Sequence, residues 1–302
     1  MQGEGALTQA DPLEAWLAAG RAWIEGELER WLASADDGTP EGLLSAMRYS
    51  VLGGGKRLRP ALVRLCCEAL GGSDSECAPA AVAVELIHAY SLVHDDLPCM
   101  DDDDLRRGRP TCHKVFGEAM AVLAADALQA KAFEVVASAE DRRARESTRA
   151  LARAAGAAGM VGGQALDMTL SAGALKPESV RDMHARKTGA LFACAAELGA
   201  IAAGADGEHR RAARRLGAAL GSLFQAVDDV LDVTGDARTL GKTPGKDARS
   251  GKATLVAALG LEGTRAEVRA RAAESEAAAQ ALGLPNGHLA FLWIERLATR
   301  RS

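Results

Sequence analysis

Two long stretches of this chain contain no proline, and they limit its fold more than any other feature. They lie between Pro110 and Pro177 and between Pro177 and Pro244, and both are rich in Ala, Leu, Glu and Arg. These residue types favour helix. The chain also lacks a convincing run of alternating β-branched residues, which would indicate a strand. The sequence therefore predicts long α-helices.

The remainder of the chain fits the same interpretation. Apolar residues between 13 and 32 follow the spacing of an amphipathic helix. Pro60 is expected to open a helix at its first position, and Gly71-Gly72 to close it. The breaks between helices are short and polar, and no repeat or long linker is visible. We expect an all-α bundle of about ten helices forming a single domain over residues 1–302. Residues 1–40 are expected to form an N-terminal helix region, and the chemical motifs lie within 53–252.

Composition excludes several classes of protein. A net charge of −5 argues against a nucleic-acid binder, which would show a basic face. The six cysteines include no CxxC pair. The first residues show no cationic start or apolar segment typical of a secretory signal. No charge-free apolar run reaches about 18 residues, so no transmembrane segment is expected. We expect a reduced cytoplasmic protein.

The segment HDDLPCMDDDDLRRGRPTCH, residues 94–113, places six aspartates within ten positions. An apolar helix is predicted over 78–96, and His88 would share a face with Asp95, seven residues later. Pro98 would end this helix. A bend there could bring Asp101 back beside Asp95.

Converging carboxylate oxygens with open positions suit Mg²⁺, which often shares its ligand shell with substrate phosphates. The segment is not an EF-hand loop, because Arg106 stands where that loop requires glycine. A solvated acidic loop is the alternative interpretation.

A second acidic cluster lies in LFQAVDDVLDV, residues 223–233. Asp228 and Asp232 are one helical turn apart, and Gln225 lies near them on the helix. Asp229 adjoins this stripe. The neighbouring residues are apolar, and buried carboxylates are costly unless they are paired or bind metal. We expect the two clusters to face each other across shared metal ions.

Cationic residues accompany both clusters. GGGKRLRP, residues 53–60, is not a Walker loop, because Ser50 and Arg57 stand where that motif needs glycine and Ser or Thr. What remains is a phosphate-binding candidate formed by Lys56, Arg57 and Arg59. Taken singly, each Lys or Arg is more often plain surface. Together they indicate a substrate with several phosphates, or two phosphorylated substrates. Further cations are Arg106, Arg107, Arg109, Lys187, Lys242, Lys246 and Lys252.

These motifs, with GGQALD at 162–167 and KTG at 187–189 between them, resemble the trans-polyprenyl diphosphate synthases, particularly the bacterial farnesyl diphosphate synthases. The resemblance extends from LGGGKRLRP, which begins at residue 52, to about residue 260. It implies an isoprenoid-synthase-type helical bundle around a deep central cavity, usually a homodimer. Such enzymes join isopentenyl diphosphate head-to-tail to an allylic diphosphate, with Mg²⁺ as cofactor.

The resemblance also implies a role for each matching residue. Isopentenyl diphosphate would contact Lys56, Arg59, His88 and Arg107. Mg²⁺ would be held by Asp95, Asp96, Asp101, Asp228, Asp229 and Asp232. The allylic substrate would contact Arg106, Lys187, Thr188, Gln225, Lys242 and Lys252, of which Arg106, Lys187, Thr188 and Gln225 would be catalytic. Gln164 and Asp167 would line the cavity, or simply form hydrogen bonds between helices.

The residues before Asp95 bear on product length. An isoprene unit is comparable to one helical turn, about 5.4 Å. Tyr90 and the small Ser91 lie five and four residues before Asp95, and an aromatic residue there resembles the farnesyl type. We predict a C15 product; the alternative is that Tyr90 is an ordinary core aromatic.

Three other functions remain open. A geranylgeranyl synthase, giving C20, would differ only at the cavity floor. A non-catalytic prenyl synthase subunit would tend to lose an acidic motif, and this chain keeps both. A terpene cyclase would not need the pocket of Lys56, Arg59 and Arg107.

Overall fold

A computed structural model describes residues 11–33, 38–139, 141–170, 175–234 and 253–300, with helices numbered α1–α13 through these ranges. The first helices are α1 (Pro12–Trp31), α2 (Glu41–Val51), α3 (Leu58–Ala69), α4 (Asp74–Asp95), α5 (Cys112–Phe116), α6 (Glu118–Ala137) and α7 (Asp141–Ala155). They are followed by α8 (Met160–Thr169), α9 (Pro177–His184), a π-helical turn (Ala185–Gly189), α10 (Ala190–Ala202), α11 (Gly207–Thr234), α12 (Leu255–Ala281, kinked at Gly260) and α13 (Leu289–Ala298).

The predicted all-α fold is confirmed. In the described ranges the sole strands are β1 (Leu105–Arg106) and β2 (Arg109–Pro110), which pair antiparallel as a short hairpin. The described part alone contains more than the expected ten helices, because several are short.

Helix α4 forms the centre of the bundle. It begins after Ser73, whose backbone N–H donates a hydrogen bond to Glu76 Oε2 at 2.9 Å, so the helix starts earlier than the predicted residue 78. It packs against α3, α6 and α10. Of the described helices, only α4 is long and apolar enough to cross a membrane, but 72% of its most apolar window is buried inside the protein. That burial by neighbouring helices accounts for its apolar character.

Helices α10, α11 and α12 complete the packing around the site. Helix α11 lies against both α10 and α12, so its carboxylate stripe is held between neighbouring helices.

Helix α3 begins at Leu58, which puts Pro60 at its third position rather than the first. The reason is that Arg57, with φ of 49°, already turns the chain into the helix.

Candidate active site

The chain after α4 folds back on the end of that helix. The backbone N–H of Asp101 donates to the carbonyl oxygen of Asp95 at 2.8 Å, and the N–H of Asp103 donates to that of Asp96 at 3.2 Å. Asp102 has a φ of 49°, which reverses the chain. The predicted return of Asp101 to the side of Asp95 is thus what the backbone does, and Pro98 provides the break.

Asp95 lies in a strongly perturbed electrostatic environment. Burial raises the pKa of its carboxyl to about 6; Lys187 and Arg106 oppose the rise, whereas Asp101 and Asp96 add to it. Carboxylates that are buried together in this way disfavour one another's charge. A bound cation would relieve that cost.

Asp96 is engaged differently from Asp95. Its Oδ1 accepts a hydrogen bond from Arg106 Nε at 3.0 Å, and Arg106 Nη2 contacts the same oxygen. Burial raises the pKa of Asp96 while Arg106 opposes that rise. Arg106 also approaches Asp103 at 3.6 Å. The arginine therefore binds the acidic segment and holds its shape.

The hairpin brings Arg107 onto the glycine loop. Arg107 and Gly108 form its two-residue turn, with φ of 55° and 75°. A Cβ atom at Gly55 would lie 2.6 Å from Arg107 Nη1, and Gly55 itself has a φ of 147°. Glycine suits this backbone conformation, and its missing side chain leaves room for the arginine. The guanidinium of Arg107 consequently lies beside the loop that presents Lys56.

Arg59 is half-buried at the start of α3. Its guanidinium lies 4.9 Å from the centre of the Phe192 ring, and its Nε has no hydrogen-bond partner among the described residues. Burial lowers the pKa of Arg59 to about 10, Arg107 adds to the shift, and Glu85 and Asp228 oppose it. A guanidinium with a buried, unused donor fits an anionic oxygen.

His88 and Lys56 belong to the same group of charges. Burial holds the pKa of His88 well below its usual value, and the guanidiniums of Arg59 and Arg107 add to the effect. Burial and Arg300 lower the pKa of Lys56, whereas Asp228 raises it. The structure therefore gathers the four residues expected to bind isopentenyl diphosphate, and it places Asp228 near them.

Asp228 has a partner that the sequence did not indicate. Arg300 Nη1, after the last helix, lies 3.2 Å from Asp228 Oδ1. Only the path of α13 returns the C-terminal segment to the second acidic motif. In the sequence, the only indication of this partner is a basic residue near the C-terminus.

Asp229 connects two helices. Its Oδ2 accepts the backbone N–H of Leu255 at 2.7 Å, and its Oδ1 accepts Gln225 Nε2 at 3.2 Å. Gln225 Oε1 in turn accepts the hydroxyl of Thr188 at 2.9 Å. Asp229 and Asp232 are both buried. The contacts of Asp229 hold α12 and orient the amide of Gln225 toward Thr188.

The π-helical turn presents Lys187 and Thr188 to the site. Lys187 Nζ donates to Asp167 Oδ2 at 2.6 Å, which ties the turn to α8. Such turns widen the helix and disturb the usual carbonyl pairing, and they are frequent at functional sites. The sequence predicts that Asp167 lines the cavity or forms a hydrogen bond between helices. In the structure it forms an ion pair that positions the site residue Lys187.

The metal expectation can be tested against the donor set. Within the described ranges, no three Asp, Glu, His or Cys side chains converge tightly enough to form a metal site by themselves. Mg²⁺ commonly uses one or two carboxylates together with substrate phosphates and water. The chain folds back so that Asp101 adjoins Asp95 and Asp96, and that arrangement of carboxylates fits such a site.

Three of the predicted phosphate-binding cations are not seen to contribute to the site. Lys242 and Lys252 lie outside the described residues. The interpretation of Arg57 as a phosphate ligand is wrong, because its guanidinium is buried and bound to Glu25, Glu85 and the carbonyl of Val51. Sequence spacing could not reveal that two glutamates from other helices meet this arginine.

Comparison with known proteins identifies the family. The pattern of the Polyprenyl synthetase family matches residues 40–282. The chain is 49% identical over 264 residues to geranylgeranyl pyrophosphate synthase 12 of Arabidopsis thaliana, covering 84% of this chain and 72% of that protein. It is 48% identical over 235 residues to farnesyl diphosphate synthase of Escherichia coli, covering 75% and 78% of the two chains.

A solved structure supports the same assignment. The geranyltransferase of Helicobacter pylori, determined with magnesium and isoprenyl diphosphate, superimposes with a TM-score of 0.82 at 33% identity. The match covers 96% of this chain and 97% of that one. The chain belongs to the polyprenyl synthetase family and is a short-chain trans-prenyltransferase.

Proposed function

We propose that this prenyltransferase is a farnesyl diphosphate synthase, which condenses isopentenyl diphosphate with dimethylallyl or geranyl diphosphate to a C15 product in the presence of Mg²⁺. The observation that carries the C15 assignment is the burial of Tyr90 on α4, five residues before Asp95. The aromatic ring fills space where a growing chain would continue along the helix.

Two groups of charges support two diphosphate sites. Lys56, Arg59 and Arg107 form the pocket proposed for isopentenyl diphosphate, with His88 beside them. Arg106 and Lys187 lie near the first acidic motif and would contact the allylic diphosphate. Bound Mg²⁺, held by Asp95, Asp101 and Asp228, would supply positive charge to the leaving diphosphate. Asp96, Asp229 and Asp232 would support these ligands from their buried positions.

The reaction begins with ionisation of the allylic carbon–oxygen bond. Lys187 and Arg106 would stabilise negative charge that develops on the departing diphosphate. The oxygens of Thr188 and Gln225, already joined at 2.9 Å, would face the allylic cation together with the main-chain carbonyl of Lys187. These oxygens are neutral, so they would stabilise the cation without capturing it readily.

The double bond of isopentenyl diphosphate then adds to the cation, and a proton must leave. The departed diphosphate is the proposed base. No protein nucleophile is needed, so Cys99 and Cys112 have no assigned part in the reaction.

The floor of the cavity is proposed to be Tyr90. Its ring packs edge-on against His94, with centres 5.7 Å apart, and burial raises the pKa of its hydroxyl. Helix α4 packs against α6. The Ser91 hydroxyl donates to the carbonyl oxygen of His88 at 2.9 Å, so it turns back onto its own helix and adds little bulk.

A product assay tests this proposal. Purified protein is incubated with Mg²⁺, dimethylallyl diphosphate and isopentenyl diphosphate, and the dephosphorylated alcohols are identified by chain length. A dominant C15 alcohol that chelator abolishes is expected. A C20 product would instead favour a geranylgeranyl synthase, a function that the plant relative bears in its name. A total absence of elongation would favour a non-catalytic subunit.

We also propose that the protein is a homodimer. Val115 of α5 and Val122 and Leu123 of α6 are exposed apolar side chains on consecutive helices, called here the α5–α6 surface. Apolar residues grouped on a surface in this way are typical of contacts between subunits.

The expected cytoplasmic location stays a prediction, which fractionation of cells expressing the tagged protein can check.

A further inference from the structure

The most buried ion pair of the described residues has no role in the reaction outlined above. Arg57 Nη1 and Glu85 Oε1 are 2.6 Å apart, and their side chains are only 2% and 3% exposed. Two such charges are costly to bury, and the cost is offset only when their hydrogen bonds are well satisfied. Their position between the glycine loop and α4 suggests what they contribute.

Arg57 connects three parts of the molecule. Besides Glu85 of α4, its Nε donates to Glu25 Oε1 of α1 at 2.7 Å, and its Nη2 donates to the carbonyl oxygen of Val51 at 2.7 Å. All three contacts end on groups outside the loop that carries Arg57. The loop before α3 is therefore fixed to α1, α2 and α4 through a single guanidinium.

The backbone of Arg57 is as constrained as its side chain. A φ of 49° is uncommon for a residue other than glycine and persists where surrounding contacts impose it. This residue separates Lys56 from the first turn of α3, which carries Arg59. Its left-handed turn consequently sets the direction in which both phosphate-binding side chains point.

Glu85 also acts on the other cations. Burial lowers the pKa of both Arg59 and Arg107, and Glu85 opposes the shift in each case. For Arg57, Glu85 and Glu25 outweigh burial and raise the pKa. One buried carboxylate thus favours the charged forms of three guanidiniums, which would otherwise repel one another.

We propose that Arg57 and Glu85 are positioning residues for the isopentenyl diphosphate pocket, in which Arg57 fixes the turn between Lys56 and Arg59, and Glu85 serves as its fixed countercharge. This inference rests on the proposed function and deepens it. It also gives α1 a part in the site, through Glu25. Neither residue touches substrate in this arrangement; both act through Lys56, Arg59 and Arg107.

The direction in which Glu85→Gln changes the Kd for isopentenyl diphosphate separates a positioning role from a simple effect of charge. Glu85→Gln removes a negative charge, so charge alone predicts tighter binding of a diphosphate. Loss of positioning predicts weaker binding, because Arg57 loses its buried partner and the turn relaxes. We expect the Kd for isopentenyl diphosphate to rise about tenfold, measured by calorimetry without Mg²⁺ or allylic substrate.

Steady-state kinetics provide the second readout. We expect the KM for isopentenyl diphosphate to rise by a similar factor in Glu85→Gln, while the KM for geranyl diphosphate changes less than about twofold. A general loosening of the fold would raise both values. Asp74→Asn is the matched control, because Asp74 accepts from Arg64 Nε at 2.7 Å and joins the same two helices away from the pocket. Both KM values should remain unchanged there.

Each outcome decides the inference. Unchanged or tighter binding of isopentenyl diphosphate by Glu85→Gln would overturn it, as would equal rises in both KM values. If that variant does not fold, Glu25→Gln removes a partly exposed partner of Arg57, and its Kd should rise about threefold; no rise would be equally decisive. Wild-type protein that binds isopentenyl diphosphate but forms no C15 alcohol would contradict the proposed function, while the binding comparison would still decide the positioning role.

Discussion

At the scale of single residues, the site depends on side chains whose charge or bulk is set by burial. Asp95 is a carboxyl with a pKa raised to about 6 mainly by burial, and Arg59 is a guanidinium with a pKa lowered to about 10 by the same cause. Such residues are poorly solvated without ligand, so binding an oppositely charged partner costs them little further desolvation. Burial also makes the size of a side chain matter. Tyr90 lies in a close-packed interior, so its ring excludes other groups from the space that it fills.

Replacing Tyr90 tests the cavity floor. Tyr90→Ala removes the ring from its buried position on α4 and should let C20 and longer alcohols appear. Tyr90→Phe keeps the bulk and loses only the hydroxyl, so its product should stay C15. Chain-length analysis of both variants with excess isopentenyl diphosphate is the measurement. An unchanged product spectrum in Tyr90→Ala would show that the floor lies elsewhere.

His184 should make stability depend on pH. Burial lowers its pKa to about 4, whereas the unfolded chain has about 6.5. The unfolded state therefore binds more protons between these values, and the free energy of unfolding falls as the pH drops through that window. The loss by pH 4.5 is roughly 2 to 3 kcal/mol.

The variant His184→Gln isolates this contribution. Urea unfolding at pH 7 and pH 4.5 should show a smaller difference for the variant than for wild type, because other titrating groups are common to both. Equal pH dependence in the two proteins would contradict the assignment to His184.

At the scale of elements, the site depends on how closely two helices approach. A Cβ atom at Gly163 of α8 would lie 2.1 Å from the backbone nitrogen of Lys187 and 2.5 Å from its Cα. No side chain fits there, so α8 rests directly on the π-helical turn. This contact and the Lys187–Asp167 ion pair hold the same turn from one side.

Gly163→Ala should therefore force α8 away from the turn. We expect a loss of about 1–3 kcal/mol in the free energy of unfolding, as for other overpacked sites, and a loss of kcat as Lys187 and Thr188 move. Gly26→Ala is the control, since no atom lies within 4 Å of the new Cβ in the middle of α1. That change should be neutral or stabilise by about 0.5–1 kcal/mol. A Gly163→Ala protein as stable and active as wild type would show that the approach can relax freely.

At the scale of the whole molecule, two kinds of surface differ sharply. The site side is rich in charge, whereas the α5–α6 surface exposes apolar side chains, with Leu123 55% exposed. An apolar surface of this kind is stabilised when a second copy covers it.

Leu123→Lys should shift the protein toward monomer. A charge at the centre of the α5–α6 surface would have to be desolvated in a dimer, which is unfavourable. Sedimentation over a range of protein concentrations measures the change. Val161→Lys, at an exposed apolar position on α8, should leave the association state unaltered. A wild-type protein that sediments as a monomer at all concentrations would refute the dimer proposal.

The helical class and the bend in the first acidic segment follow from sequence patterns alone. Proline-free stretches and residue types predicted helices, and the spacing of Asp95, Asp101 and Pro98 predicted the bend that the backbone makes. These features are local, so propensity and periodicity are sufficient to identify them.

Which charges meet depends on how the helices pack. Arg57 follows Lys56 directly, yet its guanidinium is bound by glutamates from α1 and α4, while Arg300 returns to Asp228 from the far end of the chain. Such pairs join residues that are distant in sequence, and no local pattern encodes which of several cations a given carboxylate will face. Packing of whole helices fixes those distances, so the division between charges that hold the fold and charges left for substrate becomes visible only in the folded molecule.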